Sequence, residues 1–274
     1  MVTWALAWTN AKIINNQYSI SFENLVFFRF LLGFLSLLPF VIYYKKKIPK
    51  FSDFKYIIIP SILFFLYNIA FFKGTEYVAG KGAVLVTTLN PIITVIIMSL
   101  INKKINRKEI IGILLGILGG ILIMDLYQEG LEAIIRPDNI YFVICAVTWG
   151  IMTVSINYAQ KVINPYMFIC LCYFFTMLLS IPFTDLTEIS ISEFDFVFYL
   201  NFFFVSIGAM SFGTSVYMYY TPVLGPVKVS FFIFSVPFMA MAMASSIFPE
   251  ESFTINIALG GILSIMAIYI VNRK

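Results

Sequence analysis

GAVLVTTLNPIITVIIMSLI, residues Gly82 to Ile101, decides how this chain is read. Twenty nearly unbroken apolar residues are enough to cross a bilayer as an α-helix, yet this run carries Asn90-Pro91 at its centre. Proline has no N–H to donate and its ring crowds the carbonyl four residues back, so Thr87 keeps a backbone acceptor that its own helix cannot use. In hydrocarbon such a group is costly unless protein or water supplies a partner. Val227 to Phe248 repeats the pattern, with Pro237 in the middle and Ile233 as the orphaned acceptor. Two proline-interrupted apolar helices in corresponding places of two halves point to the binding site of a repeat-built transporter.

Composition agrees with that reading. Of the 274 residues, 61% are hydrophobic and 12% charged, with a mean hydropathy of +0.93. Soluble domains carry about a quarter charged residues, so the chain is an all-α polytopic membrane protein. Ten apolar runs follow one another: Met1–Ile14, Leu25–Tyr44, Tyr56–Phe72, Gly82–Ile101, Ile110–Tyr127, Ile140–Gln160, Tyr166–Phe183, Val197–Tyr220, Val227–Phe248 and Phe253–Val271. The first lacks the charged flank and small-residue cleavage site of a signal peptide, so it is expected to stay as the first of ten transmembrane helices.

The charges test this count. With a cytoplasmic N-terminus, the loops after spans 2, 4, 6 and 8 and the C-terminus hold 13 of the 18 Lys and Arg residues. Of the 14 acids, only Asp53 and Glu109 join them. That is the positive-inside pattern, and it puts both termini in the cytoplasm. The net charge of +4 therefore reports topology and gives no reason to expect a nucleic-acid partner.

The halves also echo each other. Trp8 answers to Trp149, Pro39 to Pro182, Pro91 to Pro237 and Gly112 to Gly260, at offsets of 141, 143, 146 and 148 residues. A slowly growing offset fits a duplicated unit with slightly longer loops in its second copy. Residues 1–127 then form the first five-helix repeat, 128–139 an external connecting loop, and 140–274 the second repeat. Five crossings is odd, so the second repeat must be inverted in the membrane.

At these positions the chain resembles the EamA-type branch of the drug/metabolite transporter superfamily. The resemblance rests on the tryptophan in the first helix of each half, on Gly80-Lys81-Gly82-Ala83 leading into the Asn90-Pro91 helix, and on the Gly112-x6-Gly119 helix closing the first half. It implies a ten-helix carrier of two inverted repeats in a bacterial cytoplasmic (inner) membrane, moving a small metabolite such as an amino acid. The acidic residue usual after the proline helix is Glu251 in the second half, but Lys103 stands at the matching place in the first, and Ala267 answers to Gly119.

No enzyme chemistry is visible. There is no histidine, and the three cysteines lie in apolar runs without metal-type spacing, so no catalytic residue, metal site or cofactor is expected. No carboxylate sits mid-span, which favours exchange or facilitated movement over a carboxylate proton relay. The expected solute contacts are uncharged: Trp8, Tyr67, Asn68, Thr87, Asn90, Trp149, Thr153, Ser211 and Ser215. At 1.5 Å per residue, Tyr67, Asn90, Trp149 and Ser211 fall within roughly 8 Å of the midplane. The competing role for any single Ser, Thr or Asn is ordinary glue between helices. Arg29, Lys73 and Lys81 read as a positive outer vestibule, with snorkelling and local pairing as the alternative. Pro91 and Pro237 read as helix breaks that gate the site. The stripe Gly112, Gly116, Gly119, Gly120 suits packing within the bundle or a homodimer, so the chain is a monomer or homodimer whose partners are lipid and a small solute. The alternatives are a passive channel, which would want a charged or carbonyl-lined ring and usually oligomeric symmetry and which two inverted halves in one chain argue against, and a membrane scaffold or receptor, for which a sizeable soluble loop is expected where no loop here exceeds about fifteen residues.

The topology is open to single-cysteine labelling on a cysteine-free background. An impermeant reagent added to intact cells should tag positions 138 and 188 and spare positions 46 and 105; a tag at 46 would sink the ten-span scheme.

Overall fold

The computed structural model describes every residue except 45–46, 79, 131–133, 135, 186, 188–193, 250–251 and 274. Lys46, Glu188 and Glu251, which the topology and the family pattern invoke, lie outside the described residues, as does part of the expected connecting loop. The described chain is helical throughout, with no strand. In order it forms α1 (Val2–Gln17), α2 (Phe22–Tyr43), α3 (Lys55–Tyr77), α4 (Gly80–Asn102), α5 (Arg107–Ile123), α6 (Ile140–Ala159), α7 (Pro165–Ser180), α8 (Phe196–Leu224), α9 (Pro226–Ala244) and α10 (Ile255–Asn272).

Local chemistry sets the ends. Ser21 caps α2 by accepting from the Asn24 N–H; Asn106 and Glu109 form a reciprocal capping box on α5; Asn164 with Pro165 starts α7. Gly225 at φ 90 makes the sharp turn between α8 and α9, which a side chain would resist. Asp195 caps α8 by accepting from the Phe198 N–H and the Tyr18 hydroxyl, clasping the ends of α1 and α8. The Tyr18 hydrogen bond, and then the backbone one, hold the Asp195 carboxyl below its usual range.

Among the described residues, eight segments are long and apolar enough to cross a membrane: those containing α2, α3, α4, α6, α7, α8, α9 and α10. The two others differ in length, α1 having 16 residues and α5 17. Polarity is distributed as lipid demands. Leu35, Ile62, Ile96, Leu118, Ile151, Phe212 and Ile265 face outward, whereas Asn68, Asn90, Thr94, Thr153 and Thr176 are fully buried.

Helix neighbours obey an exchange rule. Pairing α1 with α8 is matched by α6 with α3, α1 with α9 by α6 with α4, and α2 with α8 by α7 with α3. The pairs α2–α7, α4–α9 and α5–α10 are their own counterparts under the same exchange of halves. The arrangement is two-fold, and it brings α1, α3, α4, α6, α8 and α9 around one centre.

The small-residue stripe is used inside the bundle. A Cβ on Gly119 would lie 2.8 Å from the Gly260 carbonyl oxygen and 2.9 Å from the Ser264 hydroxyl of α10. On Gly116 it would strike Phe234, and on Gly120 Thr88. The close approach of α5 to α10 depends on Gly119, and that to α9 and α4 on Gly116 and Gly120.

The two prolines behave differently from the expected pair of breaks. α4 runs without interruption through Pro91, and the Thr94 hydroxyl donates to the Asn90 carbonyl at 3.0 Å within it. Pro237 sits in the first turn of a new α-helical segment, after a 3₁₀ turn at Phe232–Ser235. There its missing N–H costs nothing, and the 3₁₀ turn lets the Val236 N–H reach the Ile233 carbonyl that the proline would have orphaned. Unforeseen from sequence, α8 is a π-helix from Phe204 to Thr214. Its wider turn leaves carbonyls free for side chains: Val205 accepts from Arg29, Ala209 from the Trp4 indole, and Met210 from the Tyr173 hydroxyl.

Gly119→Val should lower the melting temperature of the detergent-solubilised protein, by overpacking worth about 1–3 kcal/mol. Gly208→Ala, where a Cβ meets only Phe204 at 3.6 Å, serves as the control and should change little. An equally stable Gly119→Val protein would mean that the α5–α10 seam does not pack this way.

Candidate functional site

The exchange of halves has its centre at a cavity lined from both of them. Trp4 and Trp8 reach it from α1, Arg29 from α2, Phe64, Tyr67 and Phe71 from α3, and Thr87 and Asn90 from α4. Trp149 comes from α6, Ala209 and Thr214 from the π-helix of α8, and Ile233 and Val236 from α9. Its walls are mainly aromatic. The rings of Tyr67 and Trp149 have centroids 4.8 Å apart, those of Trp4 and Trp149 meet edge-on at 5.0 Å, and Trp8 meets Phe71 at 4.9 Å. All three tryptophans of the chain line this one space.

One polar wall stands out because nothing among the described residues satisfies it. Asn90 is fully buried, yet neither its amide oxygen nor its nitrogen makes a hydrogen bond there. Most buried polar side-chain atoms are paired, so an amide with both ends bare beside a cavity is a departure from the rule. The cavity volume is about 40 Å³. That is room for about three waters and well below the roughly 300 Å³ of an ordinary ligand pocket. A molecule of metabolite size does not fit this volume.

The expected contacts sort into three groups. Trp8, Tyr67, Thr87, Asn90 and Trp149 line the central cavity, although the Thr87 hydroxyl is turned onto the Ala83 carbonyl at 2.6 Å. Asn68 and Thr153 act between groups of the protein. Asn68 holds Arg29 at 2.6 Å, while Thr153 joins the Trp149 carbonyl and the Tyr217 hydroxyl, each at 2.9 Å. Ser211 and Ser215 line a different cavity of about 490 Å³, between α2, α7 and α8. Ser211 bonds to Ser36 there, and Ser215 lies 3.1 Å from the Tyr173 hydroxyl.

The vestibule also divides. Arg29 turns inward and is one wall of the central cavity, held by Asn68 and the Val205 carbonyl rather than by Glu23. Lys73 and Lys81 stay half-buried away from it. Two residues escaped the reading of the first helix, where only Trp8 was singled out. Trp4 and Lys12 fall one turn to either side of Trp8 on the same helix face, a spacing visible in the sequence. Trp4 lines the cavity, and Lys12 is buried with its ammonium 4.4 Å from the Phe248 ring centroid.

Asn90→Leu removes two unsatisfied buried groups without changing the volume much. It should raise thermal stability, each relieved group being worth about 1–3 kcal/mol, while removing a wall of the site. A lower melting temperature would make Asn90 a structural residue.

No curated protein matches the sequence. Twenty-five solved chains match it. One of them, a crystal structure titled only as that of a protein, superposes with a TM-score of 0.72 over 98% of this chain and 93% of its own. The two are 15% identical, so the likeness is one of fold. The model of the EamA-like transporter family matches residues 1–125 and again 137–273, one match to each half. With both halves covered, this chain belongs to the EamA-like transporter family.

Proposed function

We propose that this transporter carries a small amino-acid-like solute, zwitterionic or neutral, by alternating access at the central cavity. The observation that carries the reading is a buried site between the halves whose amide, Asn90, has no partner in the protein. Aromatic faces and an uncharged amide grip a compact organic solute without holding it permanently. Faces of Trp8, Tyr67 and Trp149 also suit a substrate ammonium.

The scheme takes ten spans as two inverted five-helix repeats. α1 and α5, at roughly 24 and 26 Å, come close to the hydrocarbon thickness of about 30 Å, and modest local thinning accommodates the rest. The family model's separate match to each half and the exchange rule among helix pairs support two repeats. An odd number of spans in each repeat then requires inversion, with both termini on the cytoplasmic side of a bacterial inner membrane. Rocking of one half against the other exposes the cavity alternately to the two sides. The 3₁₀ turn before Pro237 puts a change of helix type beside the site, since Ile233 and Val236 are lining residues. Exchange or facilitated movement fits the described spans, in which Asp and Glu occur only near helix ends.

Purified protein in liposomes loaded with the common amino acids should exchange them for labelled external ones. Alanine at Tyr67, Asn90 or Trp149 should cut uptake at least tenfold at unchanged protein level. Pro91→Ala with Pro237→Ala should insert and fold but turn over far more slowly. Ion-like flux without saturation would favour a channel, and no flux of any solute a scaffold.

A further inference from the structure

Arg29 lies about two turns into α2 and is only 5% exposed, so its guanidinium sits inside the bundle at membrane depth. Its Nε donates to the Val205 carbonyl at 3.2 Å and its Nη1 to the Asn68 amide oxygen at 2.6 Å. The Asn68 amide is fixed in turn, its nitrogen donating to the Phe64 carbonyl at 2.8 Å. The rings of Phe71 and Phe72 lie 5.1 and 5.6 Å from the guanidinium carbon. These contacts orient the group, but every hydrogen-bonding partner is neutral. Among the described residues no carboxylate pairs with it, and the hydrogen bonds it makes come from Nε and Nη1. A guanidinium has five N–H donors, and two are used.

A buried cation without a counter-charge is expensive at membrane depth, and one held in place by a second residue while facing a cavity is a site for an anion. We propose that Arg29 is the seat of the carboxylate of the transported solute, a proposal that rests on the carrier reading above. The planar fork at Nη1 and Nη2 matches a carboxylate in bidentate fashion. One guanidinium balances one negative charge, and Lys12, Lys73 and Lys81 are not among the cavity walls, so the substrate class is a monocarboxylate and not a phosphate dianion. In an amino acid the carboxylate goes to Arg29, while Asn90 and the aromatic rings are left for the ammonium end.

The tryptophans make the test direct, because all three line the cavity and intrinsic fluorescence reports on this space. The full-length purified chain is titrated at constant ionic strength with acetate and glycine, and in parallel with acetamide and glycinamide, which keep the shape but lack the carboxylate. The carboxylates should give a saturating signal, and the amides should bind at least tenfold more weakly. Arg29→Gln should lose the carboxylate signal; Arg29→Lys, which keeps the charge without the fork, should fall between the two. A residue that merely braced α2 against α3 and α8 would give a lower melting temperature in both variants and no preference for carboxylates in the unaltered protein. Equal signals from acids and amides, no signal from the acids, or a signal surviving in Arg29→Gln overturns the proposal, and the first two need no variant to fold. Liposome exchange separates the levels of the argument. Amino-acid exchange that is equal in the unaltered and Arg29→Gln proteins removes Arg29 alone, whereas no exchange by the unaltered protein removes the carrier reading beneath it.

Discussion

Inside a membrane, every polar group must find its partner within the protein or in whatever the protein encloses, and this single constraint shapes the bundle. The π-helix of α8 shows how it is met. Widening the turn bares carbonyls that the Trp4 indole, the Tyr173 hydroxyl and the Arg29 Nε then take up, so three helices are fastened to a fourth by one irregular segment. The 3₁₀ turn before Pro237 meets the same demand for the Ile233 carbonyl. Threonines throughout the interior turn their hydroxyls back onto carbonyls one turn earlier, as at Thr87, Thr94, Thr153 and Thr221. Against that background the bare amide of Asn90 and the half-used guanidinium of Arg29 are departures, and both face the same small space.

Much of the fold was legible because lipid leaves little freedom. Apolar runs of bilayer length located the helices, and the family model matches the chain once on each side of residues 126–136. Packing between halves followed from glycine spacing only in part. Gly112, Gly116 and Gly119 announce a close contact, but the sequence left open whether a second chain or the bundle itself fills it; within this chain the Gly260 carbonyl lies against Gly119. The irregular helices stayed hidden. Nothing in FVSIGAMSFGT marks a π-helix, because its carbonyl partners come from residues up to about two hundred positions away. Pro91 and Pro237 look alike in sequence and differ in structure because helix type is settled by which neighbouring donors and acceptors are in reach.

The site was legible to the same degree. Asn90, Trp149 and Tyr67 are conspicuous as polar or amphipathic residues at mid-span, and the structure brings them to one cavity. Ser211 and Ser215 are equally conspicuous and share a helix face, yet periodicity cannot say which of two cavities that face adjoins; α8 separates them, with Ala209 and Thr214 on one side and Ser211 on the other. Arg29 was read with Lys73 and Lys81 as an outer vestibule, whereas the structure sets it against the central cavity. A long side chain reaches well beyond its own Cα, and the direction it takes depends on Asn68, thirty-nine residues away.

The volume of the cavity connects these facts to transport. About 40 Å³ of mainly aromatic space is too little for a metabolite, so a bound solute requires helices of the two halves to separate. Separation is resisted by ring contacts such as Trp4–Trp149 and Tyr67–Trp149, which join α1, α3 and α6 across the centre. Aromatic pairs of this kind are worth about 0.5–1.5 kcal/mol each. In the proposed cycle that is small enough to be replaced one by one by contacts to an entering solute, and large enough together to favour closure behind it. The unsatisfied polar groups act in the opposite direction, since a closed site leaves Asn90 and Arg29 without their remaining partners. Under the proposed alternating access, a solute that satisfies both groups would stabilise the form that encloses it, because its affinity for the two forms would differ.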